Sequence, residues 1–192
     1  KIFNRALELD KKLIDQETKD YMVYEKYTGQ RVETNVGKDG LKLNELSVTR
    51  TPDGEMLVNI AEKTSGNKTR PAISYKGAFA EFLAYKKEQG LERAKLLNKD
   101  PSEVDLFNTT KGKMDKAWNT YIRPELEKNF SDALPIDKTT KKGKATPKVL
   151  RKILARQLVE EFKYPRDLVK SWMGHADAGV NASGDILEES YV

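Results

Sequence analysis

Five short segments carry the residue types that chemistry on an anion would need: guanidinium, ammonium, one imidazole and a phenol. They are Thr28-Gly-Gln-Arg31, Lys63-Thr64, Lys148-Val-Leu-Arg151, Met173-Gly-His-Ala176 and a late Tyr191. Lys148 and Arg151 stand three residues apart at the start of one expected helix, so they share a face and can both approach one phosphate, helped by the exposed amides there. An arginine fork bonds two oxygens at once and stays charged. His175 is the chain's single histidine and there is no cysteine, which excludes disulfides, thiol catalysis, cysteine-held zinc and multi-histidine metal sites. A histidine-based serine triad would depend on that one residue. Each group also has a plainer role. Lys148, Arg151, Lys152 and Arg156 could be the wet side of an amphipathic helix, and His175 behind Gly174 could cap a helix C-terminus. Arg31 could be a turn residue, and Lys63 an edge-strand lysine that blocks aggregation. Tyr191 is one of eight tyrosines and the only one beyond His175.

The elements that must position these groups follow from periodicity. Apolar residues at helical spacing between Ile2 and Tyr27 predict one or two amphipathic helices, ended by Thr28-Gly29. Between Leu41 and Ser74 the period shortens. Leu46 and Val48, then Met56, Val58 and Ile60, then the Thr69 to Ile73 stretch predict a small three-stranded antiparallel sheet. Thr51-Pro-Asp-Gly54 and Ser65-Gly-Asn-Lys68 supply its turns, with Lys63 at the mouth of the second. Phe79, Phe82 and Leu83 predict a helix ending near Gly90, followed by helical stretches at Glu92 to Asn98 and at Lys111 to Phe130, where Pro124 marks a break or restart. Lys138 to Lys144 (KTTKKGK) is a basic, turn-rich loop. Thr146 as N-cap and Pro147 at the first helical position open the clearest helix, striped by Val149, Leu150, Ile153, Leu154, Leu158 and Phe162. A short helix from Asp167 to Met173 is expected to stop at Gly174, before a loop rich in small residues and a final turn at Ile186 to Tyr191.

In its order of motifs the chain resembles the catalytic domain of tyrosine recombinases and phage-type integrases, over essentially its whole length. That signature is an arginine after a Thr-Gly turn, a lysine on a β-hairpin, a His-or-Lys-x-x-Arg on a helix, a Gly-His after a short helix and a terminal tyrosine. The resemblance implies catalytic roles for Arg31, Lys63, Lys148, Arg151, His175 and Tyr191. Cleavage of a phosphodiester by a protein nucleophile gathers negative charge on the non-bridging oxygens, which fixed donors must meet. The implied clamp is Arg31 with Arg151, His175 adds a donor, and Lys63 is the general acid for the leaving 5′ oxygen. A tyrosine hydroxyl has a pKa of ~10, and clustered cations would stabilise the phenolate of Tyr191. The product would be a 3′-phosphotyrosine, religated without ATP, metal or other cofactor. Lys148 stands where many members carry histidine; a lysine there also resembles type IB topoisomerases and telomere resolvases, which are therefore the rival enzymes. The acidic residue after Arg31 is Glu33, one position earlier than usual, and the His175 to Tyr191 interval is long for an integrase.

The bulk properties set the frame. A net charge of +5 over 192 residues fits a polyanion partner. Lys138, Lys141, Lys142, Lys144 and Lys152 are the candidate DNA contacts, and double-stranded DNA is the expected partner. A dimer or tetramer on DNA is expected, with no membrane association, and the setting is cytoplasmic, in a prokaryotic nucleoid or virus-encoded in a host. The expected fold class is α+β, mainly helical: a single catalytic domain over residues 1–192 of integrase-like type, belonging to a longer protein with an N-terminal DNA clamp. A non-catalytic DNA-binding or scaffold module is the alternative of a different kind.

Overall fold

A computed structural model describes residues 8, 13–29, 40–60, 73–130, 134, 139 and 144–172. Two compact units divide the chain: Lys1–Val32 together with Thr109–Val192, and Glu33–Asn108. The described residues are mainly helical, with one small antiparallel sheet. The helices are α1 (Gln16–Thr28), α2 (Gly77–Leu97), α3 (Lys111–Ala117), α4 (Arg123–Phe130), α5 (Lys148–Glu160) and α6 (Arg166–Trp172). The strands are β1 (Leu46–Arg50), β2 (Met56–Ile60) and β3 (Ile73–Lys76). Among the described residues no helix is long and apolar enough to cross a membrane.

In the Glu33–Asn108 unit the strands lie in the order β1-β2-β3, with Val48 opposite Val58 and Val58 opposite Tyr75. The first turn forms where its residues predict it. Thr51 N–H donates to the Glu55 carbonyl at 2.8 Å, Gly54 N–H donates to the Thr51 carbonyl at 2.9 Å, and Gly54 takes a φ of 84° that a side chain would resist. Alternation then sorts the faces: Val58, Ile60 and Tyr75 are buried, while the Asn59 amide donates to Ser47 Oγ at 3.4 Å and its oxygen accepts from Ser74. The third strand is described over Ile73–Lys76; the earlier part of the stretch expected from Thr69 lies outside the described residues. Residues 61–72, with the second turn, lie outside the described residues.

Helix α2 runs through Gly90, where an end was expected. A Cβ on Gly90 would lie 3.2 Å from Leu43 Cδ1 and 3.3 Å from Cγ, and nearer still to Cδ2, so this glycine serves a close approach and stops nothing. The helix ends instead at Asn98, in the left-handed region at φ 51°, with its N–H turned back to the Ala94 and Lys95 carbonyls. Lys87 of α2 donates to the Leu46 carbonyl, and burial lowers its pKa.

In the other unit Asp15 caps α1, accepting from Thr18 N at 3.0 Å and from Thr18 Oγ1 at 3.1 Å. Thr18 also shares a buried hydroxyl contact of 2.7 Å with Thr109, and Lys113 of α3 pairs with Asp15 at 3.3 Å. These contacts join the start of α1 to the start of α3. The chain from Lys111 to Phe130 does not break at Pro124. It widens into a π turn over Trp118–Ile122, with Arg123 N–H donating to the Trp118 carbonyl five residues back. Proline has no N–H to give the carbonyl four residues earlier, and the wider turn absorbs that loss without ending the helix. Trp118, 1% exposed, donates from Nε1 to the Ala145 carbonyl at 3.1 Å, and Glu127 Oε1 accepts from Ala145 N at 3.1 Å and Arg123 Nε at 2.8 Å. The entry to α5 is thereby held at both the N–H and the carbonyl of one residue, Ala145.

Helix α5 begins at Lys148 with Pro147 in the cap position, one residue later than expected, and no side chain caps it. Its first turn closes through tight bonds from Val149 N to the Thr146 carbonyl and from Leu150 N to the Pro147 carbonyl. Val149, Leu150, Ala155 and Leu158 are buried, Ala155 and Leu158 together with Val169 of α6. Ile153 and Phe162, counted in the expected stripe, are exposed. The helix ends where Lys163 takes φ 58° and Tyr164 N–H reaches back to the Leu158 carbonyl at 2.9 Å.

Candidate functional site

A hydrogen bond links the Thr-Gly turn to the KVLR helix. Arg151, in the first turn of α5, is only 6% exposed, and its Nη1 donates to the Gly29 carbonyl at 3.3 Å across 122 positions of sequence. The receiving end is itself well made. Thr28 Oγ1, buried, donates to the Tyr24 carbonyl at 2.9 Å; Gly29 N–H donates to the Glu25 carbonyl at 2.8 Å. Gly29 sits at φ 62°, the left-handed cap that glycine takes without steric cost. Carbonyls at this end of α1 carry the negative pole of the helix, so a buried guanidinium there is electrostatically matched.

The cations of α5 divide. Arg156 is exposed and pairs along the helix with Glu160 at 2.9 Å, as a solvated face predicts. Arg151 is buried, which that picture does not accommodate. Lys152 is half-buried and burial lowers its pKa. Lys148 is the first residue of α5; its side chain lies outside the described residues. Lys144 is half-buried, and its charge acts on Glu127. Burial raises the Glu127 pKa, but hydrogen bonds from Arg123 and the Ala145 amide, with the charges of Arg123 and Lys144, carry it below the usual value.

Arg31, Lys63, His175 and Tyr191 lie outside the described residues, as do Lys138, Lys141 and Lys142. Of the implied clamp, the structure therefore describes Arg151 and the turn two residues before Arg31. Gly29 was not singled out by sequence reasoning as more than a helix stop, although a Thr-Gly ending a helix just ahead of an arginine was the available signal. Comparison with protein-family models, with curated proteins and with solved structures finds no match to this chain.

Proposed function

We propose that this protein cleaves and rejoins DNA strands through a phosphotyrosine intermediate, as tyrosine recombinases do, on an integrase-like fold. The observation that carries the reading is the buried Arg151 bonded to the Gly29 carbonyl, because it joins two motifs that the reaction needs at one phosphate and that sequence order keeps far apart. A guanidinium held in a largely buried setting acts on a phosphate oxygen far more strongly than one in water. Support also comes from the net charge of +5, which suits duplex DNA.

In this mechanism Arg31, Arg151 and His175 meet the non-bridging oxygens, with Lys148 beside them. Tyr191 forms the O–P bond and passes its hydroxyl proton to water as the P–O5′ bond breaks. Lys63 protonates the departing 5′ oxygen. The exchange is a transesterification, so a second 5′ hydroxyl reverses it and no ATP, metal or other cofactor is consumed. Lys138, Lys141, Lys142, Lys144 and Lys152 hold the backbone on either side, and the protein acts as a dimer or tetramer on DNA in the cytoplasm.

The test is a suicide substrate whose nicked strand diffuses away after cleavage. The native protein should leave a covalent protein–DNA adduct on a denaturing gel, and Tyr191→Phe should bind the same DNA without forming it. No adduct with the native protein refutes the enzyme and leaves a DNA-binding scaffold. Among adduct-forming outcomes, a recombinant product marks a recombinase, a closed hairpin a telomere resolvase, and a relaxed circle a type IB topoisomerase.

A further inference from the structure

We infer that Trp118 and Glu127 are positioning residues for the KVLR helix: the π turn between them turns both side chains toward Ala145, whose carbonyl and N–H they hold, and so sets where α5 starts and where Arg151 stands. The inference rests on the phosphate-clamp reading of Arg151 and adds to it the residues that aim the clamp.

Helical register explains how both side chains reach one residue. An α-helix turns about 100° per residue, so side chains as far apart as positions 118 and 127 would point to nearly opposite faces of a regular helix. The turn over Trp118–Ile122 is wider, and it takes in one extra residue without that residue's share of rotation. About 100° is thereby removed, which leaves the two roughly 80° apart and lets side chains of this length converge. Trp118 Nε1 donates to the Ala145 carbonyl at 3.1 Å, and Glu127 Oε1 accepts from Ala145 N–H at 3.1 Å. Single π turns of this kind recur at functional sites.

Ala145 is 1% exposed, so its peptide groups must be satisfied from within the protein. Arg123 Nε, one turn before Glu127 in α4, donates to the same Oε1 at 2.8 Å and steadies the carboxylate. The step from Ala145 to α5 is short. The Thr146 carbonyl accepts from Val149 N–H at 2.9 Å and the Pro147 carbonyl from Leu150 N–H at 3.1 Å, which closes the first turn. No side chain caps that turn. Buried Val149 and Leu150 hold α5 inward, while the clasp on Ala145 fixes where its first turn begins, and from that turn Arg151 reaches the Gly29 carbonyl.

Amide hydrogen exchange on the protein without DNA tests the clasp. In Glu127→Ala the Ala145 N–H should exchange about tenfold faster and the Val149 N–H at least about threefold faster, because a loosened entry frays the first turn. Glu127→Gln loses the same charge but keeps an oxygen that accepts, so both amides should return to within about twofold of native. Faster exchange at Ala145 with Val149 unchanged overturns the control of α5, and no change at either overturns the clasp.

The rate of covalent adduct formation on the suicide substrate, at saturating DNA and below the melting temperature of each variant, tests the positioning. Misplacing a reacting group costs more in rate than in binding, so Glu127→Ala should form adduct about tenfold more slowly, with its Kd for DNA changed less than about twofold. Glu127→Gln should recover most of that rate. Trp118→Phe keeps a ring but loses the Nε1–H, so it should slow the reaction from the carbonyl side, and it carries the test should Glu127→Ala not fold. Gly90→Ala, in the other unit, should keep the native rate. A Gln variant as slow as the Ala variant makes the effect one of charge, and a Gly90→Ala equally slow makes it one of stability; either overturns the positioning role, as do native rates throughout. Exchange as expected in a native protein that forms no adduct overturns the phosphotyrosine reading, and the positioning role with it, leaving Trp118 and Glu127 as a helix anchor.

Discussion

Replacing Gly90 by alanine should destabilise the protein, against the ordinary rule for a glycine inside a helix. Alanine is favoured over glycine there by ~1 kcal/mol, and Gly90 lies well within α2, so propensity alone predicts a gain. The new methyl, however, would lie 3.2 and 3.3 Å from two carbons of Leu43 and closer to a third. Leu43 is 0% exposed and has no solvent to turn into. Overpacking of that kind costs ~1–3 kcal/mol, which exceeds the propensity term and leaves a net loss of about 1 kcal/mol. For a chain of this size that is a fall in Tm of roughly 2–4 °C, measured by thermal melting followed by circular dichroism. The contact itself is identified by a double-mutant cycle. Leu43→Ala alone should cost ~2–5 kcal/mol through its cavity, and in the Gly90→Ala background about 1 kcal/mol less, since the added methyl then has room. A Gly90→Ala protein that melts higher than the native one, or a cycle that is additive, refutes this account of the helix.

Three further outcomes follow from the same structure. Lys163 holds φ 58° at the end of α5, so Lys163→Gly should raise stability by about 0.5–1 kcal/mol in urea titration, whereas the same change at the exposed Lys99 should not. Asp15 is drawn upward by burial, yet the amide and hydroxyl of Thr18 and the charge of Lys113 bring its pKa below the ordinary aspartate value. A carboxylate depressed on folding stabilises above its unfolded pKa and loses that contribution as pH falls through the folded one, so stability should decline below about pH 4. Asp15→Asn, which still caps α1, should flatten that decline while leaving neutral-pH stability within about 0.5 kcal/mol; an unchanged acid limb would rule Asp15 out as its source. Trp118→Phe leaves the Ala145 carbonyl without its indole donor and should cost about 1–3 kcal/mol by chemical denaturation, and a cost near zero would mean the bond is replaced.

Local reading worked where a short pattern and its partner lie close together. The β1–β2 hairpin was legible because alternation and the Thr51-Pro-Asp-Gly54 turn agree on one register, and α1's end at Thr28-Gly29 because a glycine cap acts on the turn before it. It failed where one residue type serves two purposes. Gly90 reads as a stop and is a contact; Pro124 reads as a break and is absorbed by a π turn; Thr146-Pro147 reads as a capped start and is followed by an uncapped one. In each case the deciding atom belongs to packing or backbone geometry that the local string does not encode.

From its residues alone this chain is a cysteine-free, net basic α+β protein with a three-stranded antiparallel sheet and an ordered set of cationic motifs, because those properties depend on composition, period and spacing. Only the tertiary structure decided that Arg151 of the KVLR helix is buried while Arg156 is exposed, and that Arg151 donates to the carbonyl of Gly29. The helical period lists which residues share a face, but burial of a charge is settled by whatever that face meets, and here it meets the negative end of another helix.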